Sequence, residues 1–279
     1  MKRSPDSRPQ ERDIDIFGLS HVGKVRRGNE DQFFAASLHK NMRIWGTSVA
    51  EHRFKHVDEP IMAVLMVADG LGGGPGGRRA SETAVEAVWS YIAGAVDVCW
   101  TLGPGTENTV LERLEQAVEH CHLAVRSEAE RDESLRGMAT TLTMATVVWP
   151  RLYIVQVGNS RCYRLRGGQL QLLTTDQTML QALRARGVPP ERFEGPRLHH
   201  ILTSAIGSDN APVTTTFDLE WDDVLLLCTD GLTNHLTDDD ICQVLRTSPS
   251  AGDACRRLAG QAVERGGSDN VTVVVGRVK

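Results

Sequence analysis

Three features are scarce in this 279-residue chain, and each absence removes a class of function. No apolar run approaches the roughly 20 residues that a membrane helix needs. Met1–Asp13 is charged throughout, which predicts no secretory signal. Positive charge is not in excess: 31 Lys and Arg against 36 Asp and Glu leave a formal charge of −5, which argues against a nucleic-acid surface. The six cysteines, Cys99, Cys121, Cys162, Cys228, Cys242 and Cys255, form no C-x-x-C pair. Scattered through apolar strand and helix patterns, they read as buried free thiols in a reducing compartment. These absences predict a cytoplasmic, monomeric protein with neither nucleic acid nor membrane as partner. The length suits one domain, here residues 13–279 after a polar, disordered tail over 1–12.

What is present is concentrated first in residues 61–79. An unbroken apolar run from Ile61 to Ala68 ends in Asp69 and a glycine-dense loop. Such a run, flanked by Pro60 and Gly70, predicts a strand buried on both faces. From Arg78 to Val96 the spacing of Ala80, Ala84, Val88 and Ile92 predicts a helix. The loop nearly matches two nucleotide motifs, since Gly72 to Gly77 satisfies G-x-G-x-x-G. But Arg78-Arg79 stands where a phosphate loop needs Lys-Ser/Thr, and the strand that should close a βαβ unit is missing. Asp-Gly can also be a plain turn. A metal ligand at Asp69 is the third reading, and it needs partner acids elsewhere.

Those partners emerge along the chain. Ile14–Ser20 and Gln32–Leu38 read as strands around a loop that carries Lys24, Arg26 and Arg27 and then Glu30 and Asp31. Residues 41–59 read as an insertion with no assigned chemistry. A second helix runs to about Asp132, capped by Thr106 or Asn108. Strand patterns follow over Ala139–Val148, Leu152–Val157, Cys162–Leu165 and Leu170–Leu173. Thr175–Arg186 reads as a short helix within a surface flap spanning about 176–212. After strands Val213–Leu219 and Val224–Cys228 comes a second Asp-Gly, Asp230-Gly231. Helices over Asp238–Leu245 and Gly252–Glu264 precede Asp269 and a last strand, Val271–Val275.

Glu30, Asp31, Asp69, Asp230 and Asp269 thus all sit at Gly- or Asn-rich breaks beside apolar strands. Hard oxygen donors without His or Cys partners select Mg²⁺ or Mn²⁺ over zinc. Gathered together they would repel one another unless cations neutralised them. Two cations sharing one carboxylate can activate a water, and a nearby arginine can hold a phosphate. Metal-assisted phosphoester hydrolysis follows as a class, though not uniquely.

Six segments occur in an order that resembles the metal-dependent PPM-type phosphatases, the protein phosphatase 2C family. They are Gly23-x-Val25-Arg26-x-x-Asn29-Glu30-Asp31, Val67-Ala68-Asp69-Gly70-x-Gly72-Gly73, Ala139-Thr140-Thr141, Gly158-Asn159-Ser160-Arg161, Leu226-Leu227-Cys228-Thr229-Asp230-Gly231-Leu232-Thr233 and Gly267-Ser268-Asp269-Asn270. The resemblance is to bacterial members and spans Ile14 to Val275. It implies an α+β fold, a four-layer α-β-β-α sandwich with an antiparallel β-sandwich between pairs of antiparallel helices. It further implies a serine/threonine protein phosphatase with two Mn²⁺ or Mg²⁺ ions, acting on phosphorylated protein substrates of a serine/threonine kinase. Carried over, Asp69 bridges the ions and the Gly70 carbonyl joins one of them. Glu30, Asp230 and Asp269 ligate directly, and Asp31 ligates or supports through water. Arg26 binds the substrate phosphate, a bridging hydroxide attacks phosphorus, and Thr141 and Asn270 support.

Two departures from the family pattern matter. Asn159 stands where an aspartate commonly helps hold a third metal, so that ion is expected to be weak or absent. Leu71 stands where some members have a histidine proposed as general acid, so the leaving group must be protonated from water or elsewhere. Two alternatives remain open at this point: a catalytically weak module that binds phosphoproteins, motivated by Asn159, and a hydrolase of small phosphoesters.

Overall fold

The computed structural model describes residues 7–41, 58–72, 75–94, 107–188, 198–208 and 211–279. The first half supplies β1 (Ile14–His21), β2 (Asp31–Asn41), β3 (Asp58–Leu71), α1 (Pro75–Gly94) and α2 (Glu107–Arg131). A run of short strands follows: β4 (Ala139–Thr140), β5 (Leu142–Val148), β6 (Arg151–Val157), β7 (Arg161–Arg166) and β8 (Gln169–Leu172). The chain closes with α3 (Met179–Ala185), β9 (Val213–Asp218), β10 (Val224–Cys228), α4 (Asp230–Thr233), α5 (Asp238–Thr247), α6 (Ala251–Glu264) and β11 (Val271–Val278).

The strands form two antiparallel sheets, ordered β2-β3-β5-β6-β9 and β1-β11-β10-β7-β8, with β4 pairing onto the end of β3. Period-2 alternation sorts each strand between two cores. On β3, Met62, Val64 and Met66 face α1 and α2, where they meet Ala84, Val88, Leu114, Val118 and Cys121. Leu65 and Val67 point the other way and meet Ile154, Cys162, Leu225, Leu227 and Val274 between the sheets. The outer face of the second sheet, with Tyr163, Leu226, Val273 and Val275, packs on Ile241, Leu245, Cys255 and Leu258 of α5 and α6. Three apolar interfaces separate four layers, and this is the α+β sandwich that the resemblance implied.

Local sequence explains most boundaries. Thr237 and Asp240 form a reciprocal capping box at the start of α5, and Ser250 caps α6 through the Asp253 N–H. Several expectations are corrected. Strand β3 does not stop at Ala68 but carries Asp69 and Gly70 inside it, because β4 supplies partners as far as Leu71. Helix α1 begins at Pro75 rather than Arg78, since proline's fixed φ and missing N–H suit a first turn. The strand expected over Ala139–Val148 is split at Thr141. The flap helix is shorter than 175–186, with Thr178 capping it through the Gln181 N–H. Asn108 lies within α2 rather than capping it, and Thr106 falls outside the described residues. So do residues 1–6 of the expected tail, residues 42–57 of the insertion, and Cys99. Residues 7–12 are described; Pro9 is buried, and Glu11–Asp13 form a short 3-10 turn.

Candidate metal centre

Antiparallel register alone delivers the acids to one end of the sandwich. Asp31 opens β2 directly opposite Asp69 on β3. In the other sheet, His21 of β1 pairs Val271, and Cys228 of β10 pairs Val273. The residues just beyond those strand ends, Asp230 and Asp269, therefore emerge at the same rim. Arg26, Glu30, Asp69, Gly70, Leu71, Asn159, Asp230, Asp269 and Asn270 line a single cleft of about 360 Å³, together with His200, Leu202 and Asn234. The structure thus brings together the residues singled out in the sequence, with Thr141 and the 2%-exposed Asp31 packed behind them.

A shell of small polar groups fixes the acid-bearing backbone. The Asp69 N–H donates to Thr141 Oγ1 at 3.0 Å, while the Asp69 carbonyl accepts from Thr140 Oγ1 and Thr141 N, each at 2.9 Å. Thr141 Oγ1 is in turn 2.8 Å from Ser160 Oγ. Asn270 ties the Glu30 loop: its Oδ1 accepts from Glu30 N at 2.8 Å, and its Nδ2 donates to the carbonyls of Val22 and Gly28. The Glu30 carbonyl accepts from Gly70 N and from Ser81 Oγ. Thr141 and Asn270 thus hold the backbone of the acid-bearing segments. Thr140, Ser160, Ser81 and Thr229 act beside them and carry no assigned role from sequence. All but Ser81 lie inside the matched segments, and the signal available there was a hydroxyl adjacent to an acid or in Thr-Thr pairs.

Glycine is required at two points of closest approach. A Cβ on Gly70 would sit 2.1 Å from the Gly77 carbonyl oxygen, and one on Gly77 would sit 2.2 Å from Glu30 Oε2. Gly70 and Gly77 therefore let the first turn of α1 and β3 close around the Glu30 carboxylate.

The electrostatics are those of an anion cluster. Burial pushes Asp31 up to about 7, reinforced by Asp230 and Asp269 and opposed by bonds from Thr272 and Thr229. Burial likewise raises Asp69, with Asp31, Asp230 and Asp269 adding to the effect. Asp230 is raised by burial and by Asp269, against hydrogen bonds from Asn159 and Asn234. Asp31 Oδ2 accepts from Thr229 Oγ1 at 2.8 Å, whereas its Oδ1 is buried with no hydrogen-bond partner. A buried, unpaired carboxylate oxygen is costly. Together with the all-oxygen acids of the cleft, it fits a pair of hard divalent cations. Among the described residues no three acid, imidazole or thiol side chains already close on one point.

Two side chains depart from the simplest expectation. Arg26 does not reach into open space; its Nη2 donates to Asp269 Oδ2 at 2.7 Å, a bond that raises the guanidinium's own pKa. Asn159, 8% exposed, donates through Nδ2 to Asp230 Oδ2 at 3.1 Å.

Comparison with known proteins agrees with this arrangement. A family profile described as protein phosphatase 2C matches residues 51–265. The chain is 35% identical over 261 residues to the serine/threonine protein phosphatase PstP of Mycobacterium tuberculosis, an overlap covering 93% of this chain but 44% of PstP. The chain therefore spans about half the length of that relative. It is 30% identical to the protein phosphatase PhpP of Streptococcus pneumoniae, across 94% of this chain and 96% of PhpP. Among solved structures, M. tuberculosis PstP superimposes with a TM-score of 0.75 at 30% identity, covering 95% of this chain and 99% of that one. The PstP catalytic domain in complex with two manganese ions gives a TM-score of 0.72, also at 30% identity, covering 95% and 97%. With a family profile matched over most of its length and the four-layer sandwich shared with these solved structures, the chain belongs to the protein phosphatase 2C family.

Proposed function

We propose that the chain is a metal-dependent phosphoprotein phosphatase that hydrolyses phosphoserine and phosphothreonine esters with two Mn²⁺ or Mg²⁺ ions. The observation that carries this reading is the convergence of Glu30, Asp69, Asp230 and Asp269 on one cleft that also holds Arg26. The relatives named as serine/threonine phosphatases, and the manganese complex of one of them, support it. Asp69 is assigned to both ions, with the Gly70 carbonyl, Glu30, Asp230 and Asp269 as further ligands and Asp31 ligating or acting through water. When bound, the ions would supply an activated water and offset charge on the phosphoryl group. Arg26 holds phosphoryl oxygens and so orients the ester for in-line attack. Thr141 and Asn270 keep Asp69 and Glu30 in place by the hydrogen bonds described above.

The third ion is assigned as weak or absent. In support, the Asn159 amide already spends its N–H on Asp230 and brings no negative charge. Leu71 lines the cleft without a transferable proton, so protonation of the leaving alkoxide falls to water or to another group. Phosphorylated proteins produced by a serine/threonine kinase are the proposed substrates. A reducing, cytoplasmic setting is supported by free cysteines at positions 121, 162, 228, 242 and 255, and no helix among the described residues is long and apolar enough to cross a membrane.

The test is hydrolysis of p-nitrophenyl phosphate and of a phosphothreonine peptide, with and without Mn²⁺, by wild type and by Asp69→Asn. Activity that requires Mn²⁺ and is lost in the variant supports the proposal. A wild type no faster than the variant at saturating Mn²⁺ ends it. A protein that hydrolyses small esters but none of a phosphopeptide panel would instead be a small-phosphoester hydrolase.

A further inference from the structure

The flap contributes two side chains to the cleft that sequence reasoning did not single out, His200 and Leu202. His200 lines the same cleft as Arg26 and Asp69, its side chain 51% exposed and its Nδ1 3.9 Å from Asp230 Oδ2. That separation is too long for a hydrogen bond. The turn carrying it is pinned on both sides to α3. Leu180 N donates to the Leu198 carbonyl at 3.1 Å, Met179 N to the Ile201 carbonyl at 2.8 Å, and Thr203 N to the Gln177 carbonyl at 2.9 Å. The ring also packs against His199, with centroids 4.0 Å apart. His200 is therefore held at the cleft rather than swinging freely above it.

Most side-chain donors in the cleft are already engaged. Asn159 donates to Asp230, and Asn270 donates to Val22 and Gly28. Ser268 Oγ lies 3.0 Å from His235 Nε2, and Arg26 donates to Asp269. Among the described residues, the His200 ring makes no hydrogen bond, its nearest acid lying 3.9 Å away. A phosphoester dianion needs more donors than one guanidinium provides, because each phosphoryl oxygen accepts two or more hydrogen bonds. The remainder of the wall beside His200 is the apolar pair Leu71 and Leu202, which suits the carbon skeleton of an esterified side chain.

We propose that His200 is a substrate-contacting residue, donating a ring N–H to an oxygen of the bound phosphoester from the flap side of the cleft, beside Asp230. The turn that carries His200 is then part of the substrate site. This rests on the phosphatase reading above, and the test separates the two.

The full chain is loaded with Mn²⁺ and compared as wild type, H200A and H200Q, the last retaining an amide N–H. Three quantities are measured: KM and kcat on a phosphothreonine peptide, competitive inhibition by inorganic phosphate, and Mn²⁺ affinity by calorimetry. A charge-assisted hydrogen bond lost in H200A should raise KM and the phosphate inhibition constant together by about tenfold. A contact made equally in ground and transition state leaves kcat little changed. H200Q should recover part of the loss, and Mn²⁺ affinity should stay within about twofold in both variants. KM and phosphate inhibition unchanged in H200A would overturn the proposal. So would a fall in Mn²⁺ affinity matching the loss of phosphate, which would make His200 merely a support for Asp230. If wild type hydrolyses nothing, the phosphatase reading has failed. Calorimetric binding of inorganic phosphate to the Mn²⁺-loaded protein then still decides His200: weaker binding in H200A supports the contact, and equal binding removes it.

Discussion

Arg26 Nη2 and Asp269 Oδ2 lie 2.7 Å apart across 243 residues of sequence. The side chain assigned to the substrate phosphate is thus paired with a carboxylate assigned to a metal. The two assignments compete for one acid, since a cation at Asp269 displaces part of what Arg26 gains there. Both partners are partly exposed, at 51% and 28%, so solvent screens the pair and the competition is modest.

Removing the guanidinium should therefore move two affinities in opposite directions. In Arg26→Ala, Mn²⁺ binding should tighten by up to about fivefold, the scale of a surface ion pair. Phosphate inhibition should weaken by about tenfold, the scale of a lost bidentate contact. Calorimetry with Mn²⁺ and then phosphate reads both. Affinities that fall together would mean that Arg26 only shapes the acid cluster.

Acid repulsion gives the metal-free protein a distinctive pH response. Burial raises Asp31 from 3.8 to about 7, and Asp69 and Asp230 move the same way. Below the unfolded value, both states hold the proton and nothing is lost. Between 3.8 and about 7 the unfolded chain releases a proton that the folded chain retains, so stability falls as pH rises and then levels off. Urea unfolding in chelator should show this decline from about pH 4 to about pH 7, and Mn²⁺ should flatten or reverse it by binding the ionised form. Asp31→Asn should be more stable than wild type in chelator at the upper end of this range and less responsive to Mn²⁺. A chelated protein equally stable across the range would contradict the buried-acid account.

Much of this site was legible before any coordinates, and the part that was not has a physical cause. The acids announced themselves because buried strands are apolar, so Asp69 after Val67-Ala68 and Asp230 after Leu227-Cys228-Thr229 stand out by contrast. The two-sided burial of β3 was readable for the same reason. Sheet order was not, because β1 finds β11 some 250 positions away, and no local propensity encodes such a pairing (the family resemblance alone implied the architecture). The end of β3 was misplaced because a two-residue partner strand, Ala139–Thr140, is too short to leave a pattern. His200 was invisible, since a polar flap gives a histidine no contrast.

Gly77 tests whether the glycines around Asp69 serve the ligands rather than the turn. Alanine at a helical glycine ordinarily stabilises by about 0.5–1 kcal/mol. Here its Cβ would sit 2.2 Å from Glu30 Oε2 and 3.1 Å from the Gly70 carbonyl carbon. The flexible carboxylate must yield before the backbone does. Gly77→Ala should therefore unfold at nearly the wild-type temperature in chelator while binding Mn²⁺ about tenfold more weakly, as expected when a ligand is displaced by a fraction of an ångström. A normal Mn²⁺ isotherm would show that Glu30 has room to spare.

Asn159 offers a direct test of the proposal that a third ion is weak or absent. Its Nδ2 donates to Asp230 Oδ2 at 3.1 Å, so an amide now spends its hydrogen on an acid that burial has already raised. Asn159→Asp replaces that donor with a second carboxylate at similar range, and two such groups cannot both ionise without a cation between or beside them. The chelated variant should be less stable than wild type at neutral pH, and millimolar Mn²⁺ should restore it through an additional, weak phase in the calorimetric titration. Asn159→Ala is the control: it removes the donor without adding charge, so it should lose some stability yet keep the wild-type titration. If Asn159→Asp titrates like wild type and like Asn159→Ala, residue 159 has no part in holding a third ion and that proposal fails.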